Sequence, residues 1–291
     1  MRILLAIVAA LSFAAAASAQ TLRVGSKNFT EQFVVAELYA AALEAAGFEV
    51  ERKINLGATL MAHEALRTGA IDLYPEYTGT GFVAVIRAQG LAESDPEKTY
   101  QAVKAFYEKE YKLTWLKPSG VNNGNAMVVR QETAQAMNLK TLSDLAKVAG
   151  GMKIGAGAEF GDRQDGLKGM REVYGIEFGE FRRFAALRLR YEALIHKQID
   201  VANGFATDWQ IAAGKFTVLS DDKNLFPPYY LAPVVRLDTV AGKPKAVEAL
   251  LKVGSLIDNP TMQELNRQVE VDNKEPRAVA AAFLKAKGVI R

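Results

Sequence analysis

The spacing of apolar residues between positions 21 and 74 changes several times, from strand-like runs to helical spacing and back. The run Thr21–Gly25 predicts a strand, and the spacing after it predicts a helix from about Thr30 to Ala46, ended by Gly47. Strands that alternate with helices are typical of a parallel or mixed sheet with helices on its faces. The block continues with a strand at Phe48–Ile54, a helix at Thr59–Arg67 and a strand at Ile71–Tyr74.

A second α/β series follows a predicted helix at Pro96–Tyr111 and a strand at Leu113–Leu116. Its predicted strands are Ala126–Arg130, Met152–Ala156, Ile199–Asn203 and Phe216–Leu219, and its predicted helices are Thr141–Val148, Gln164–Tyr174, Tyr191–Lys197 and Thr207–Ala213. The chain then closes with a strand at Leu231–Arg236 and helices at Pro244–Ile257, Thr261–Val269 and Pro276–Lys287.

Two turn-rich segments separate these series, at Lys117–Asn125 and at Asp221–Tyr230. Their composition predicts that the chain crosses between two lobes there. We therefore expect an α/β clam-shell of two lobes joined by two crossings. Residues 21–120 plus 226–291 are predicted to form lobe one, and residues 121–225 to form lobe two. Ligand clefts lie at domain interfaces and at the carboxyl ends of strands, so we expect a ligand between the lobes.

Residues 1–19 have the pattern of a secretory signal peptide. Arg2 precedes an apolar run from Ile3 to Ala17, and small residues at 17–19 offer a cleavage site before Gln20. The run is short for a membrane span. The chain has no Cys, which leaves no lipidation site at the cleavage point. We therefore expect an exported protein of the periplasm that is not a lipoprotein.

The formal net charge of +3 is spread over the chain, with lysines and arginines scattered among acids. One basic cluster, Arg182-Arg183 to Arg188 and Arg190, is short and interrupted by Phe184–Leu187. Nucleic-acid-binding domains carry a basic patch or stripe. We therefore expect no nucleic-acid partner.

Motifs for catalysis and metal binding are missing from the sequence. His63 and His196 are its only histidines, and His63-Glu64 lacks the second histidine of a zinc protease helix. There is no Gly-x-Ser-x-Gly elbow, and without Cys there is no thiolate chemistry. We therefore expect no enzymatic activity, no metal and no cofactor.

The candidate binding residues are aromatic or polar side chains after predicted strands and in the crossings. Lys27 lies in a strand-to-helix turn, where the helix dipole disfavours a cation but favours a bound anion. It is either an anion-binding residue or a solvated surface lysine. Any single aromatic residue is explained as well by packing, but recurrence on both lobes favours a ligand site. The other candidates are Tyr74, Tyr77, Thr80, Arg163, Phe205, Thr207, Asp208, Tyr229 and Tyr230, with Trp209 close by.

Several segments, in order along the chain, give a family resemblance. They are Ser26–Gln32, Tyr74–Thr80, Glu159–Gly166, and Phe226–Pro233 with Val234-Val235-Arg236. In this combination the chain resembles the substrate-binding proteins of osmoprotectant ABC importers, the OpuAC/ProX-like family, over essentially its whole length after the signal peptide. The resemblance implies the periplasmic-binding-protein fold and a quaternary ammonium ligand such as glycine betaine, choline, carnitine or proline betaine.

The resemblance also implies roles for seven residues. A trimethylammonium group has no N–H to donate, so the family holds it in a box of tyrosines, at about 0.5–2 kcal/mol per cation–π contact. A lysine, an arginine and a threonine hold the carboxylate of the ligand. The matching positions are Tyr77, Asn125, Phe205 and Tyr229 for the box, and Lys27, Arg163 and Thr80 for the carboxylate.

Two box positions depart from the family pattern. Asn125 stands where an aromatic wall is expected, and Phe205 keeps a π-face but lacks the hydroxyl. Without an aromatic side chain at position 125, one wall of the box is open. This open wall indicates either weak betaine binding or room for a bulkier ligand, such as ergothioneine, that reaches Asn125 with a polar group. In a third interpretation, Trp209 or Tyr230 fills the gap. Only under the first should Asn125→Tyr tighten the binding of glycine betaine.

The predicted function is that of a monomeric periplasmic receptor that binds a small quaternary ammonium compound. It delivers this ligand to an ABC permease in the inner membrane, a partner implied by the resemblance alone. Two alternatives remain: a receptor for another zwitterion or a cationic amino-acid derivative such as ergothioneine, and an exported two-lobed α/β enzyme.

Overall fold

The computed structural model describes residues 21–86, 94–214 and 216–291, so the predicted signal peptide lies outside the described residues. The strands are β1 Leu22–Gly25, β2 Val50–Lys53, β3 Leu73–Tyr77, β4 Leu113–Trp115, β5 Asn125–Arg130, β6 Lys153–Ala156, β7 Glu180–Arg183, β8 Val201–Phe205, β9 Phe216–Leu219 and β10 Leu231–Arg236. No helix in these three ranges is both long and apolar enough to cross a membrane.

The α-helices lie between and after these strands. They are α1 Thr30–Ala45, α2 Thr59–Arg67, α3 Thr78–Thr80, α4 Pro96–Tyr111, α5 Gln131–Met137, α6 Leu142–Ala146, α7 Leu167–Gly169, α8 Leu187–Ile195, α9 Trp209–Ala212, α10 Leu237–Gly242, α11 Pro244–Gly254, α12 Asn259–Glu270 and α13 Pro276–Ala286. Wider π-helical turns continue α3 over Gly81–Val85 and α7 over Met170–Tyr174, and tighter 3₁₀ turns occupy Ala149–Gly151 and Ala158–Gly161.

The strands form two five-stranded sheets of the same design. The first has the order β2-β1-β3-β10-β4 and the second β7-β6-β8-β5-β9. In each sheet three neighbouring strands are parallel, and the fourth, β10 or β5, runs antiparallel to its neighbours. Strands β5 and β10 each come directly after one of the two crossings, so each crossing leads into the antiparallel strand of one sheet.

The two crossings lie side by side and form the hinge between the sheets. Asn122 and Tyr230 make an antiparallel bridge. The amide of Asn123 donates to the carbonyl of Tyr229 over 3.0 Å, and the amide of Leu231 donates to the carbonyl of Val121 over 2.9 Å. The predicted lobe boundaries, 120/121 and 225/226, fall in or beside these segments and stay predictions.

Apolar side chains pack on both faces of each sheet, in two separate clusters per sheet. Helix α1 is apolar on most sides because it packs between the first sheet and helices α11, α12 and α13. Elements covered on both faces lose the alternation of buried and exposed positions. All five residues of β3, including Pro75 and Glu76, are buried for this reason.

Several predicted elements have different limits in the structure. Strands β3 and β8 run on to Tyr77 and Phe205, so these two residues lie within strands and not beyond them. Helix α8 begins at Leu187, four residues earlier than predicted. The elements α5, α10 and β7 were not predicted because they lack an apolar stripe or run, and the short helix α3 was not predicted either.

Candidate functional site

A cleft of about 1040 Å³ lies between the two sheets. Its wall includes the turn after β1, the end of β3, the start of β5, the loop after β6, helix α8 and the end of β8. Trp209 also lines it, whereas Tyr230 does not. All seven predicted binding residues line this cleft: Lys27, Tyr77, Thr80, Asn125, Arg163, Phe205 and Tyr229.

Lys27 is buried and paired with a carboxylate. Only 4% of the residue is exposed, so its interpretation as a solvated surface lysine is wrong. Its Nζ lies 2.5 Å from Oε1 of Glu76 and 4.8 Å from the ring centroid of Tyr77. Glu76, at the core of β3, thus neutralises the cation that sequence analysis assigned to a ligand carboxylate.

Glu76 is held by three donors. Besides Lys27, it accepts hydrogen bonds from the Tyr74 hydroxyl over 3.2 Å and from the backbone amide of Tyr77 over 2.8 Å. Burial raises the pKa of Tyr74 well above its usual value, so its hydroxyl remains a donor. A buried carboxylate needs such partners, because an unpaired charge away from water is costly.

Three aromatic rings form a nearly parallel series across the cleft. Phe29 lies in the middle, with ring centroids 6.4 Å from Tyr77 and 6.2 Å from Phe205 and interplanar angles of 20° and 18°. The Tyr77 hydroxyl donates to Oε1 of Glu31 over 2.6 Å, and burial raises the pKa of Tyr77 well above its usual value. Phe29 was not among the predicted binding residues, although it lies inside the family-like segment Ser26–Gln32.

Arg163 also has a carboxylate partner in its own loop. Its Nε donates to Oδ1 of Asp165 over 2.6 Å and its Nη2 to Oδ2 over 2.5 Å, a two-point contact. The Tyr229 hydroxyl donates to the same Oδ2. Gly79 packs against the Tyr229 ring so closely that a Cβ there would lie 2.7 Å from it. The Tyr229 ring is therefore fixed on one side by Gly79 and at its hydroxyl by Asp165.

Asn125 forms an amide wall beside Tyr229. Its Nδ2 donates to the Tyr229 hydroxyl over 3.2 Å and lies 3.5 Å from Oδ2 of Asp165, while its Oδ1 accepts from Asn203 over 3.0 Å. It faces Phe205 in the register of β5 and β8. Asn125 thus belongs to a polar network where an aromatic wall was expected.

Thr80 is buried at the end of α3, directly after β3. It lines the same cleft as Lys27 and Tyr77. The turn from β3 into α3 thus presents Tyr77 and Thr80 on one side of the cleft.

Arg190 and Asp208 are buried charged residues that line the cleft on the side of the second sheet and are not among the seven predicted binding residues. Arg190 on α8 donates from Nη1 to the carbonyl of Asn203 over 2.8 Å, and its Cζ lies 5.9 Å from the Phe205 ring centroid. Asp208 accepts from the Tyr191 hydroxyl over 2.6 Å and from the Phe205 amide over 2.8 Å, and burial raises its pKa to about 7. In the sequence, Arg190 was only one member of a short basic cluster.

Helix α12 connects the hinge to the second sheet's side of the cleft. Near its start, Asn259 exchanges hydrogen bonds with the backbone of Asn122. At its end, Glu270 accepts from Nε1 of Trp209 on α9 over 2.8 Å. The lobes therefore contact each other along one flank of the cleft. In residues 21–86, 94–214 and 216–291, no group of three or more His, Asp or Glu side chains could hold a metal ion.

The protein has two sheets with matching strand directions, a hinge made of two hydrogen-bonded crossings, and a cleft lined by aromatic rings. These features define a two-lobed solute-binding protein. The family model of OpuAC, the substrate binding domain of ABC-type glycine betaine transport systems, matches residues 20–286. The chain therefore belongs to the OpuAC family.

Individual relatives and solved structures agree with this assignment. The chain is 35% identical over 92% of its length to the ergothioneine transport permease/ergothioneine binding protein EgtU of Helicobacter pylori, of which it spans 48%. It is 34% identical over 95% of its length to the glycine-betaine-binding protein of Pseudomonas aeruginosa, of which it spans 91%. A crystal structure of a glycine betaine/carnitine/choline ABC transporter superposes with a TM-score of 0.76 at 29% identity, covering 92% of this chain and 99% of that one. The predicted family and two-lobed α/β fold are confirmed.

Proposed function

We propose that this protein is an extracytoplasmic receptor that binds a small quaternary ammonium compound of the glycine betaine or choline type. It closes around the ligand and delivers it to an ABC permease of the inner membrane. Binding proteins of ABC importers act outside the cytoplasm, and the apolar segment before Gln20 supports export to the periplasm by a cleaved signal peptide.

The aromatic series across the cleft carries this proposal. A quaternary ammonium group binds to aromatic faces, and Phe29, Tyr77 and Phe205 supply three of them at one place. A buried carboxylate, Glu31, holds the Tyr77 hydroxyl and adds negative charge beside the rings. Together these features favour a cation that cannot donate a hydrogen bond.

The relatives support transport in preference to catalysis. The Helicobacter pylori relative is named as a transport permease and binding protein, and the Pseudomonas aeruginosa relative as a binding protein. Two cations of the cleft, Lys27 and Arg163, form ion pairs with the structural carboxylates of Glu76 and Asp165. We propose a monomer that binds and releases its ligand chemically unchanged.

A second candidate ligand is a quaternary ammonium compound with a polar ring, such as ergothioneine. The amides of Asn125 and Asn203 favour it, because they put hydrogen-bonding groups where the family pattern has an aromatic wall. The name of the Helicobacter pylori relative points the same way.

Calorimetric titration of residues 20–291 tests the proposal. The protein is first unfolded and refolded to remove co-purifying ligand, then titrated with glycine betaine, choline, carnitine, proline betaine and ergothioneine, with arginine as control. We expect saturable binding of at least one panel compound with a Kd below about 100 μM, a binding free energy of more than about 5.5 kcal/mol. No binding across the panel by folded protein contradicts the proposal, and a ligand chemically altered after incubation contradicts a purely binding role.

A further inference from the structure

The charged residues of the cleft divide into paired and unpaired groups. Lys27 with Glu76 and Arg163 with Asp165 are buried or half-buried ion pairs, so each pair carries no net charge. Arg190 and Glu31 are different. Within the described part of the chain, no Asp or Glu oxygen lies within 4 Å of the Arg190 guanidinium, and no Lys, Arg or His nitrogen lies within 4 Å of the Glu31 carboxylate.

Arg190 is a buried guanidinium with donors to spare. Only 8% of the residue is exposed. Its Nη1 donates to the carbonyl of Asn203 and lies 3.4 Å from the Asn203 side-chain oxygen, but its buried Nε has no partner. Nε and Nη2 form one edge of the guanidinium, and among the described residues no acceptor is bound to that edge. A carboxylate binds such an edge through two parallel hydrogen bonds.

The wall beside Arg190 is open because Gly157 has no side chain. A Cβ on Gly157 would lie 2.9 Å from Nη2 of Arg190. Burial lowers the pKa of Arg190, and the negative charge of Asp208, which forms no ion pair with it, offsets this effect only in part. A buried charge without a partner destabilises a protein unless something else compensates it. A ligand is the simplest compensating group for a side chain that lines a cleft.

Glu31, on the side of the first sheet, is a buried anion without an ion-pair partner, as Arg190 is a buried cation without one. It is 3% exposed, and its donors among the described residues are all neutral: the Tyr77 hydroxyl, Asn123 over 2.8 Å and Asn266 over 3.0 Å. It lies in the first turn of α1, where the helix dipole favours a negative charge. Its charge is therefore tolerated but not neutralised, and it lies at the polar end of the Tyr77 ring.

We propose that Glu31 and Arg190 are the charge-bearing anchors of the cleft: the ligand is a zwitterion whose cationic end lies toward Glu31 and whose carboxylate binds Arg190. This rests on the proposed function and deepens it. Lys27 and Arg163 line the same cleft with their charges already paired to Glu76 and Asp165, so Glu31 and Arg190 add the charges that have no ion-pair partner. A ligand that bridges the two sheets in this way favours the closed state, because it interacts with both lobes only when they are together.

Titrations of four proteins with glycine betaine and with choline, which lacks the carboxylate, test the assignment. Arg190→Gln is expected to lose about 10- to 100-fold in glycine betaine affinity, the usual weight of charge-assisted hydrogen bonds, and less than about threefold for choline. Glu31→Gln is expected to weaken both ligands. Arg171→Gln is the matched control, because it removes the same charge from an exposed side chain that is paired with Glu177 and does not line the cleft. It should leave both affinities unchanged.

Unchanged glycine betaine affinity in Arg190→Gln, or an equal loss for both ligands, would overturn the assignment while leaving the proposed function intact. If the wild type binds only another zwitterion of the panel, the same four proteins are titrated with that compound. If it binds no compound of the panel, the proposed function fails, and ligand-free thermal unfolding decides the charge assignment. Arg163→Gln breaks a buried pair and should lower Tm, whereas Arg190→Gln removes an uncompensated charge and should lower Tm less or raise it. An Arg190→Gln variant that unfolds as early as Arg163→Gln would overturn the assignment in that case.

Discussion

Phe29, in the turn before α1, and Phe205, at the end of β8, lie nearly parallel across the cleft, with ring centroids 6.2 Å apart. The first belongs to the part of the chain that packs on the first sheet, and the second ends a strand of the second sheet. Tyr77 extends the series on the other side of Phe29. The aromatic surface is thus assembled from both lobes, and its shape depends on how far they are closed.

Replacing Phe29 tests whether the ring contributes as a π-system or only as apolar bulk. We expect Phe29→Leu to weaken choline binding nearly as much as Phe29→Ala, by about 2- to 30-fold, because leucine keeps the volume but offers no π-face. Calorimetric titration with choline measures this. Wild-type affinity in Phe29→Leu would show that the middle ring makes no cation–π contact.

Asn125→Tyr should weaken ligand binding and lower thermal stability. The Asn125 amide joins Tyr229 and Asn203, so a tyrosine there leaves buried polar groups without partners, at about 1–3 kcal/mol for each group left unsatisfied. Titration with glycine betaine and thermal unfolding together measure both effects. Tighter binding of glycine betaine would instead favour the simple open-wall interpretation of the sequence.

Trp209 should report ligand binding by its fluorescence. The chain has two tryptophans. Trp115 is fully buried against Tyr107 in the core, whereas Trp209 lines the cleft and donates to Glu270 on the opposite lobe. Closure on a ligand changes the surroundings of Trp209 only. We expect an emission change on titration for wild type and Trp115→Phe, and none for Trp209→Phe; a signal that persists in Trp209→Phe would place the change in the core.

Sequence periodicity predicted most of the fold because most elements bury one clear apolar face. Helices α2 and α4 begin and end where predicted. The polar edge strand β7 and the polar helix α5 carry no such face, so the pattern could not show them. Strand β3 was placed too early because Pro75 and Glu76 interrupt its apolar run, although both are buried in the sheet.

The composition of the cleft was predictable in part. The family-like segments led to residues that all line one cleft. Several cleft residues, however, have ion-pair or hydrogen-bond partners that are distant in sequence. Lys27 meets Glu76 from 49 positions away, and Glu31 meets Asn266 from 235 positions away. Such contacts form only when the chain folds, so no local sequence pattern predicts them. For this reason the sequence identified Lys27 as a candidate anion-binding residue but did not show its ion pair with Glu76.

Asp208 should make the stability of the protein fall as pH rises toward neutrality. Burial raises its pKa from the ordinary 3.8 to about 7. Between these values the native protein keeps a proton that the unfolded chain has released, so raising the pH favours unfolding, with a slope approaching about 1.4 kcal/mol per pH unit. Above about pH 8 this contribution is constant, because Asp208 is ionised in both states.

Asp208→Asn should flatten this dependence, since the amide does not titrate and can still accept from the Tyr191 hydroxyl. Urea unfolding at about pH 5.5 and pH 8 measures it in wild type and variant. Asp144→Asn is the control: the hydrogen bond from Lys147 holds the pKa of Asp144 down to about 2, so its carboxylate is ionised at both pH values and its loss should cost the same at each. If Asp208→Asn keeps the wild-type slope, Asp208 is ionised in the native protein throughout this range and its buried surroundings must stabilise the charge.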